Sequence, residues 1–264
     1  MSNPAEHVKD STVFELPFYK LQIPQPWGFQ LTKYMVLEVV AAVLMVVIFI
    51  WLSRRIASGQ PPRGRLWNMF EAMLLFIRDQ VARPTIGPPH EADRFLPFLW
   101  TMFFFVLFCN LLGLVPWMGS PTGSFEVTTA LAICSFVTVV TAGMAKYGPL
   151  KYWIGLVPHL DLPWYMKVPL ILILWPIELS GLLIKSTILS IRLLANMFAG
   201  HLVLAVILGF IAQTATSWLW YGVMPASVLG AAALNILELL VAFLQAYIFV
   251  FIASLLIGMA VHQH

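Results

Sequence analysis

The sequence predicts an all-α membrane protein with about five membrane-embedded helices and one amphipathic interfacial helix, the last two membrane helices long and strongly tilted. Three observations predict it. Of the 264 residues, 60% are hydrophobic and 10% charged, where an average soluble domain carries about 25% charged residues. Mean hydropathy is +0.87, and apolar runs recur that are long enough, at ~1.5 Å per residue, to cross a ~30 Å hydrocarbon core. Basic residues gather in particular loops, which gives the chain an orientation. The net charge of +3 offers nucleic acid no electrostatic footing. Cys109 and Cys134 fall inside apolar runs and read as small buried hydrophobes rather than metal or redox ligands. No cofactor or metal is called for, and residues 1–264 read as a single membrane domain without internal repeats.

Residues 1–32 mix Glu6, Lys9, Asp10, Glu15 and Lys20 with Pro17, Pro24 and Pro26. They read as a polar segment at the outer surface, unlike the basic start and short apolar core of a cleavable leader. A first span covers 34–52. Arg54, Arg55, Arg63 and Arg65 follow with no acid among them, so this loop is inside and the N-terminus outside. Over 66–81 apolar residues alternate with Asn68, Glu71, Arg78 and Asp79, the pattern of an amphipathic helix lying in the interface. The region from Pro84 to Pro89 breaks it.

A helical hairpin over 95–145 comes next, with spans at 95–115 and 127–145. Its loop, Pro116 to Ser124, has no basic residue and fits the outer side, whereas Lys146 and Lys151 lie inside. Residues 147–167, broken by Pro149, Pro158 and Pro163, form an inner-surface connection. Two apolar stretches, 168–212 and 226–261, finish the chain. The first is about twice the length of an upright span and has no polar loop to divide it, so it reads as one inclined helix rather than two short ones. The loop from Gln213 to Met224 is outside, and His262 and His264 end inside.

The charged residues after Lys167 are Glu178, Lys185, Arg192 and Glu238. Arg192 lies deep in an apolar stretch, and a guanidinium there cannot neutralise itself. No acid lies within a turn or two, so its counter-charge must come from elsewhere. Glu178, Lys185 and Arg192 are spaced seven and seven, one stripe that drifts only ~20° per heptad. Asn196 extends it by a turn. On the last helix Glu238 and Gln245 share a face, with Asn235 adjoining.

If the two long helices are antiparallel neighbours, Arg192 is level with Gln245. His201 is then level with Glu238, roughly 10–14 Å nearer the outside. Glu178 lies ~21 Å from Arg192 toward the inside. Titratable groups on both sides of a fixed cation suit two offset proton pathways, neither crossing the membrane alone. Each residue also has a plainer reading. Glu178 and Lys185 could be an ion pair or could snorkel to headgroups. His201 and Glu238 could be a hydrogen-bonded pair that holds two helices together, although His titrates near working pH and suits a relay. Asn196 and Gln245 could be interhelical glue at ~0.6 kcal/mol each. His201, nine positions from Arg192, faces about 180° away from it, toward the neighbouring helix.

With the motif Arg192-Leu-Leu-Ala-Asn196-Met-Phe-Ala-Gly200-His201, backed by Leu244-Gln245-Ala246-Tyr247-Ile248-Phe249 and Asn110-Leu-Leu-Gly-Leu-Val-Pro116, the chain resembles subunit a of the F-type ATP synthase along nearly its whole length. The resemblance implies a non-catalytic stator subunit that couples proton flow to ring rotation and ATP synthesis. It implies as partners a rotating ring of c subunits, peripheral-stalk b subunits, the rest of the synthase and the lipid bilayer. The ring carboxylates would supply the counter-charge for Arg192, and Asn196 and Gln245 match the polar residues beside it. His201 and Glu238 match the outer half-channel pair, in the order of mitochondrial-type members. Many bacterial members reverse it.

The same resemblance makes Glu178 the acid near the inner half-channel and Lys185 a supporting residue. Ile188 stands where many members have a small residue, with Ser190 as a substitute. Ser124-Phe-Glu126-Val-Thr128 departs from the family's Asp-x-Asn-Val-Thr and leaves Glu126 as the acid that opens the outer pathway. A bacterial plasma membrane fits better than a mitochondrial inner membrane. A secondary transporter would show paired repeats. An intramembrane hydrolase built on Ser190 would show a G-x-S-x-G elbow. Neither is present.

Overall fold

The structure is a computed structural model. It describes residues 13–15, 20–22, 31–57, 64–115, 119–155 and 164–262, with the backbone alone at 13–15, 20–22, 55–57, 154 and 164–169. Two short strands, β1 (Val13–Glu15) and β2 (Lys20–Gln22), pair antiparallel with Phe14 opposite Leu21. The rest is helical: α1 (Lys33–Ala57), α2 (Arg65–Phe76), a π-helical stretch (Ile77–Ala82), α3 (Arg83–Ile86), α4 (Pro89–Gly113), a 3-10 turn (Pro121–Gly123), α5 (Phe125–Tyr147), α6 (Pro149–Ile154), α7 (Trp164–Thr214) and α8 (Trp220–Val261). Among the described residues five helices, α1, α4, α5, α7 and α8, are long and apolar enough to cross a membrane. The chain is a multi-pass integral membrane protein.

The number of spans matches the sequence expectation, and the ends differ for identifiable reasons. α4 starts at Pro89 rather than 95. A proline in the first turn has no N–H to lose, and Glu91 suits the positive helix start. Pro84 does not break the surface helix. It is absorbed at the start of α3 behind the wider π-helical turn, and the break falls at Gly87, whose φ of 118° suits a residue without Cβ. The 168–212 stretch lies within one 51-residue helix, α7, undivided as expected. At ~1.5 Å per residue it is ~76 Å long, so it must incline steeply to stay near a ~30 Å core. α8 starts at Trp220, carrying Pro225 inside, which shortens the expected outer loop. Residues 1–12, 16–19 and 23–30, Arg63, Pro116–Met118, Pro158, Pro163 and His264 lie outside the described residues.

The helices divide between two compact units. The first takes residues up to 60, 104–128 and 192–246. In it α1 turns Tyr34, Leu37, Ala41 and Leu52 inward and leaves Val39, Val43, Val47 and Ile50 exposed, an apolar exterior that lipid tolerates. Phe49 meets the edge of Phe104 with ring centroids 4.9 Å apart. At Gly113 a Cβ would lie 2.5 Å from the Ser120 Cβ, so only glycine lets the 3-10 turn close on the end of α4.

The second unit takes 61–103, 129–191 and 247–264. Here α2, the π-helical stretch and α3 bury Trp67, Ile77, Val81, Ala82 and Ile86. That face packs inward, so the segment is more than a helix resting on a surface. Gly258 of α8 presses so closely on the Thr85 carbonyl that no side chain fits there. Thr85 and Ser254 share a hydroxyl hydrogen bond beside it.

Candidate functional site

Arg192, Asn196, His201, Glu238 and Gln245 all belong to the first unit. Gly200 of α7 sits where a Cβ would come within 2.7 Å of Glu238 Oε1, and Gly230 of α8 faces Ile207. These two points set α7 and α8 antiparallel, with Gly200 level with Glu238 and Ile207 level with Gly230. His201 Nδ1 is 4.0 Å from Glu238 Oε1, the outer limit of an ion pair and beyond hydrogen-bond range. The missing side chain at Gly200 gives the carboxylate its room. His201 thus faces α8, as its half-turn offset from Arg192 predicts.

Glu238 is 7% and Gln245 4% exposed. Arg192 is half-buried, at the edge between the packed face of Leu193 and Met197 and the exposed Ala195 and Phe198. Arg192 Nε and Nη2, His201 Nε2, Glu238 Oε1 and Gln245 Nε2 are buried with no hydrogen-bond partner among the described residues. A buried polar atom left unmet costs about 1–3 kcal/mol, and native structures hold only a few per hundred residues. Five such atoms on four residues of α7 and α8 are unusual for one unit of this size. Asn196 lies half-buried one turn from Arg192.

Other expected residues are not gathered there. Glu126 is exposed in the first turn of α5, and its carboxylate accepts from Ser124 Oγ. That is a local contact which, with the helix dipole, accounts for an acid at this position. In the second unit Glu178 and Lys185 are both exposed, and neither makes an ion pair with a described residue. Their pairing is not seen. Ser190 is buried, its hydroxyl unpartnered among the described residues, as is that of Ser186. Cys109 is buried as expected, whereas Cys134 is exposed, because it lies on the outward side of a helix whose exterior is apolar. Among the described residues no three metal-ligating side chains converge.

Sequence reading missed two sets. In the first unit, Asn110 of α4 joins the 3-10 turn to α8 through buried hydrogen bonds. Its signal is a lone amide inside an apolar run. In the second unit, charges both near and distant in sequence close on one another. Arg78 and Arg83 meet Asp79 at 2.9 and 3.0 Å, and Arg83 reaches Asp93 at 3.3 Å. Lys146 meets Glu91 at 2.8 Å. His262 Nε2 lies 3.5 Å from Glu91 and donates to the Ile86 carbonyl at 2.7 Å. Nothing in the sequence pairs Lys146 or His262 with Glu91, 55 and 171 positions away.

Comparison with known proteins adds an independent line. The family profile described as "ATP synthase A chain" matches residues 35–258. The chain is 42% identical over 241 residues to ATP synthase subunit a of Myxococcus xanthus, covering 89% of this chain and 75% of that one. It is 38% identical over 268 residues to ATP synthase subunit a of Chloroherpeton thalassium, covering 97% and 75%. Against ATP synthase subunit a 2 of Chlorobaculum tepidum the identity is 36% over 262 residues, covering 96% and 71%. The matched span takes in the loop-braced end of α4 and the whole Arg192 to Gln245 cluster, and the chain belongs to the ATP synthase A chain family.

Proposed function

We propose that this chain is the stator proton-channel subunit of a rotary F-type ATP synthase, non-catalytic itself and acting as one membrane domain over residues 1–264. Two offset half-channels meet at Arg192. From the outer side a proton passes Glu126, then the His201–Glu238 pair, and neutralises a carboxylate on the c-ring. After the ring has turned, that carboxylate comes to Arg192 from the other side and gives its proton up toward Glu178. Asn196 and Gln245 flank the guanidinium, and Lys185 and Ser190 support its helix. Arg192 keeps its proton throughout. Its fixed charge favours the ionised ring carboxylate and bars a proton from passing directly between the half-channels.

Each charge crossing the membrane field delivers ~2.3 kcal/mol per 100 mV, so several must cross for each ATP made. The partners are the c-ring, the peripheral-stalk b subunits and the rest of the synthase. The membrane is a bacterial plasma membrane.

The observation that carries this reading is the cluster of buried, unpaired polar atoms at Arg192, His201, Glu238 and Gln245 in a member of this family. The test is ATP-driven proton pumping in vesicles carrying Arg192→Ala, together with passive leak after the catalytic head is removed. Pumping is expected to fall by at least ~100-fold, the scale of losing a preorganised charge, while the leak rises. Normal pumping would return the arginine to a structural role.

A further inference from the structure

The amide of Asn110 sits where an apolar helix has no need of one. Asn110 is fully buried on α4. Its Nδ2 donates to the carbonyl of Ala242 on α8 at 3.2 Å. Its Oδ1 accepts from Thr122 Oγ1 at 2.7 Å. Since Thr122 spends its hydroxyl proton on Asn110, the 2.7 Å contact between Ser120 Oγ and Thr122 Oγ1 must have Ser120 as donor. The bonds therefore run one way, from Ser120 to Thr122 to Asn110 to Ala242, and each donor polarises the next. Every link is buried: Thr122 and Ala242 are 0% and Ser120 is 1% exposed. Gly113, whose Cβ would collide with Ser120, holds the turn close enough for the chain to form.

Ala242 is one turn past Glu238 and three residues before Gln245, so the three share a face of α8. Its carbonyl already accepts from the helix and uses its second lone pair for Asn110. Its methyl group lets the α4 amide approach. The hydrogen bond thus lands on the backbone between the two buried polar side chains that face α7.

We propose that Asn110 is a positioning residue. Braced by Ser120 and Thr122, it fixes the height and rotation of the α8 turn so that Glu238 meets His201 and Gln245 meets the level of Arg192. This rests on the proposed function above. It adds that the geometry of the proton path is set from the loop between α4 and α5 through a directed hydrogen-bond chain.

The test uses the whole ATP synthase in membrane vesicles, with pumping measured against pH and normalised to the amount of assembled subunit. Asn110→Leu, similar in size but without either bond, is expected to pump ~10-fold more slowly, the scale of one buried hydrogen bond left unmet. Asn110→Asp carries the sharper readout. A neutral acid can donate to the Ala242 carbonyl as the amide does, whereas the carboxylate repels it. Pumping by this variant should therefore be near normal at low pH and fall as pH rises, a limb the unaltered protein lacks.

Wild-type pumping by assembled Asn110→Leu, or an Asn110→Asp profile parallel to the unaltered one, would overturn the proposal. If neither variant assembles, Thr122→Val and Thr122→Ser decide. A loss of about threefold, ~0.7 kcal/mol at ~1.4 kcal/mol per tenfold, is expected for valine, with recovery for serine. Equal rates for both would overturn it. Arg192→Ala run alongside separates the two claims. Normal Asn110 variants with a dead Arg192→Ala would remove the positioning role alone, and normal pumping by Arg192→Ala would remove the reading beneath it.

Discussion

In the unit built from residues 61–103, 129–191 and 247–264, Arg78, Arg83, Asp79, Asp93, Lys146, Glu91 and His262 each have an ionic partner within 3.5 Å, His262 when protonated. In the other unit Arg192, His201, Glu238 and Gln245 keep buried polar atoms with no partner among the described residues. The first set is partly exposed, where an ion pair contributes about 0–1 kcal/mol and closing every pair is cheap. The second is buried, where an unmet polar atom is costly and persists only if something other than stability selects it. Pairing, more than charge, separates the two sets, and under the proposed function the open set is the one that carries protons.

The largest expected effect breaks the open set directly. Glu238→Gln keeps shape but loses the titrating proton, and pumping should fall ~100-fold, the lower scale of acid–base participation. Because the two residues face each other across α7 and α8, the double exchange H201E/E238H should recover a measurable part of that loss, while H201E alone should not. ATP-driven pumping in vesicles reads all three. A double exchange no better than the worse single change would show that the positions are not interchangeable parts of one relay.

A middle-sized effect comes from Gly200→Ala. The new methyl group would stand 2.7 Å from Glu238 Oε1, so the carboxylate must shift, at the ~1–3 kcal/mol typical of overpacking. Pumping should fall about tenfold at that cost, with the subunit still assembled. Unaltered pumping would mean that the close approach of α7 and α8 there does not matter.

The smallest effect belongs to the closed set. Asp79 is held below the usual carboxylate range, chiefly by its hydrogen bond to Arg78 and further by the charges of Arg78 and Arg83. A lowered carboxylate contributes its stability above its unfolded value, about 3.9 for aspartate, and loses it as pH falls through the folded one. Thermal stability should therefore be flat in this respect from neutral pH to about pH 5 and weaken only in stronger acid. Asp79→Asn should remove that acid limb and leave pumping unchanged. A pumping defect in Asp79→Asn would blur the contrast between the units.

Much of this was legible in the residues. Arg192, Glu238 and Gln245 stand out because polar groups are rare in apolar helices, and once the two long helices are taken as antiparallel neighbours their spacing sets which residues share a level. α7 reads as one helix because no polar break divides it. Helix ends were less legible. Pro84, Pro89 and Pro225 look like boundaries in sequence, yet the chain absorbs each of them within or at the first turn of a helix. The Asn110 chain depends on a serine and a threonine in a loop, where such residues are ordinary. The closed ion pairs link positions up to 171 apart, as His262 and Glu91 are, a distance that no local pattern carries.

The length of α7 bears on how the chain enters the membrane. Its apolar window runs from Leu170 to Thr214, 45 residues, enough to be threaded as two upright crossings rather than one. Two crossings would reverse the side from which α8 starts and carry the carboxyl end to the opposite face. The glycines with positive φ among the described residues are Gly64, Gly87, Gly119 and Gly148, all outside α7. Gly200 and Gly209 stay helical and offer the insertion machinery no hairpin. The absence of a turn in the middle of α7 therefore decides the topology of everything after it, and a turn-forming Asn-Gly placed near its midpoint at Leu189 would be expected to invert α8 during synthesis.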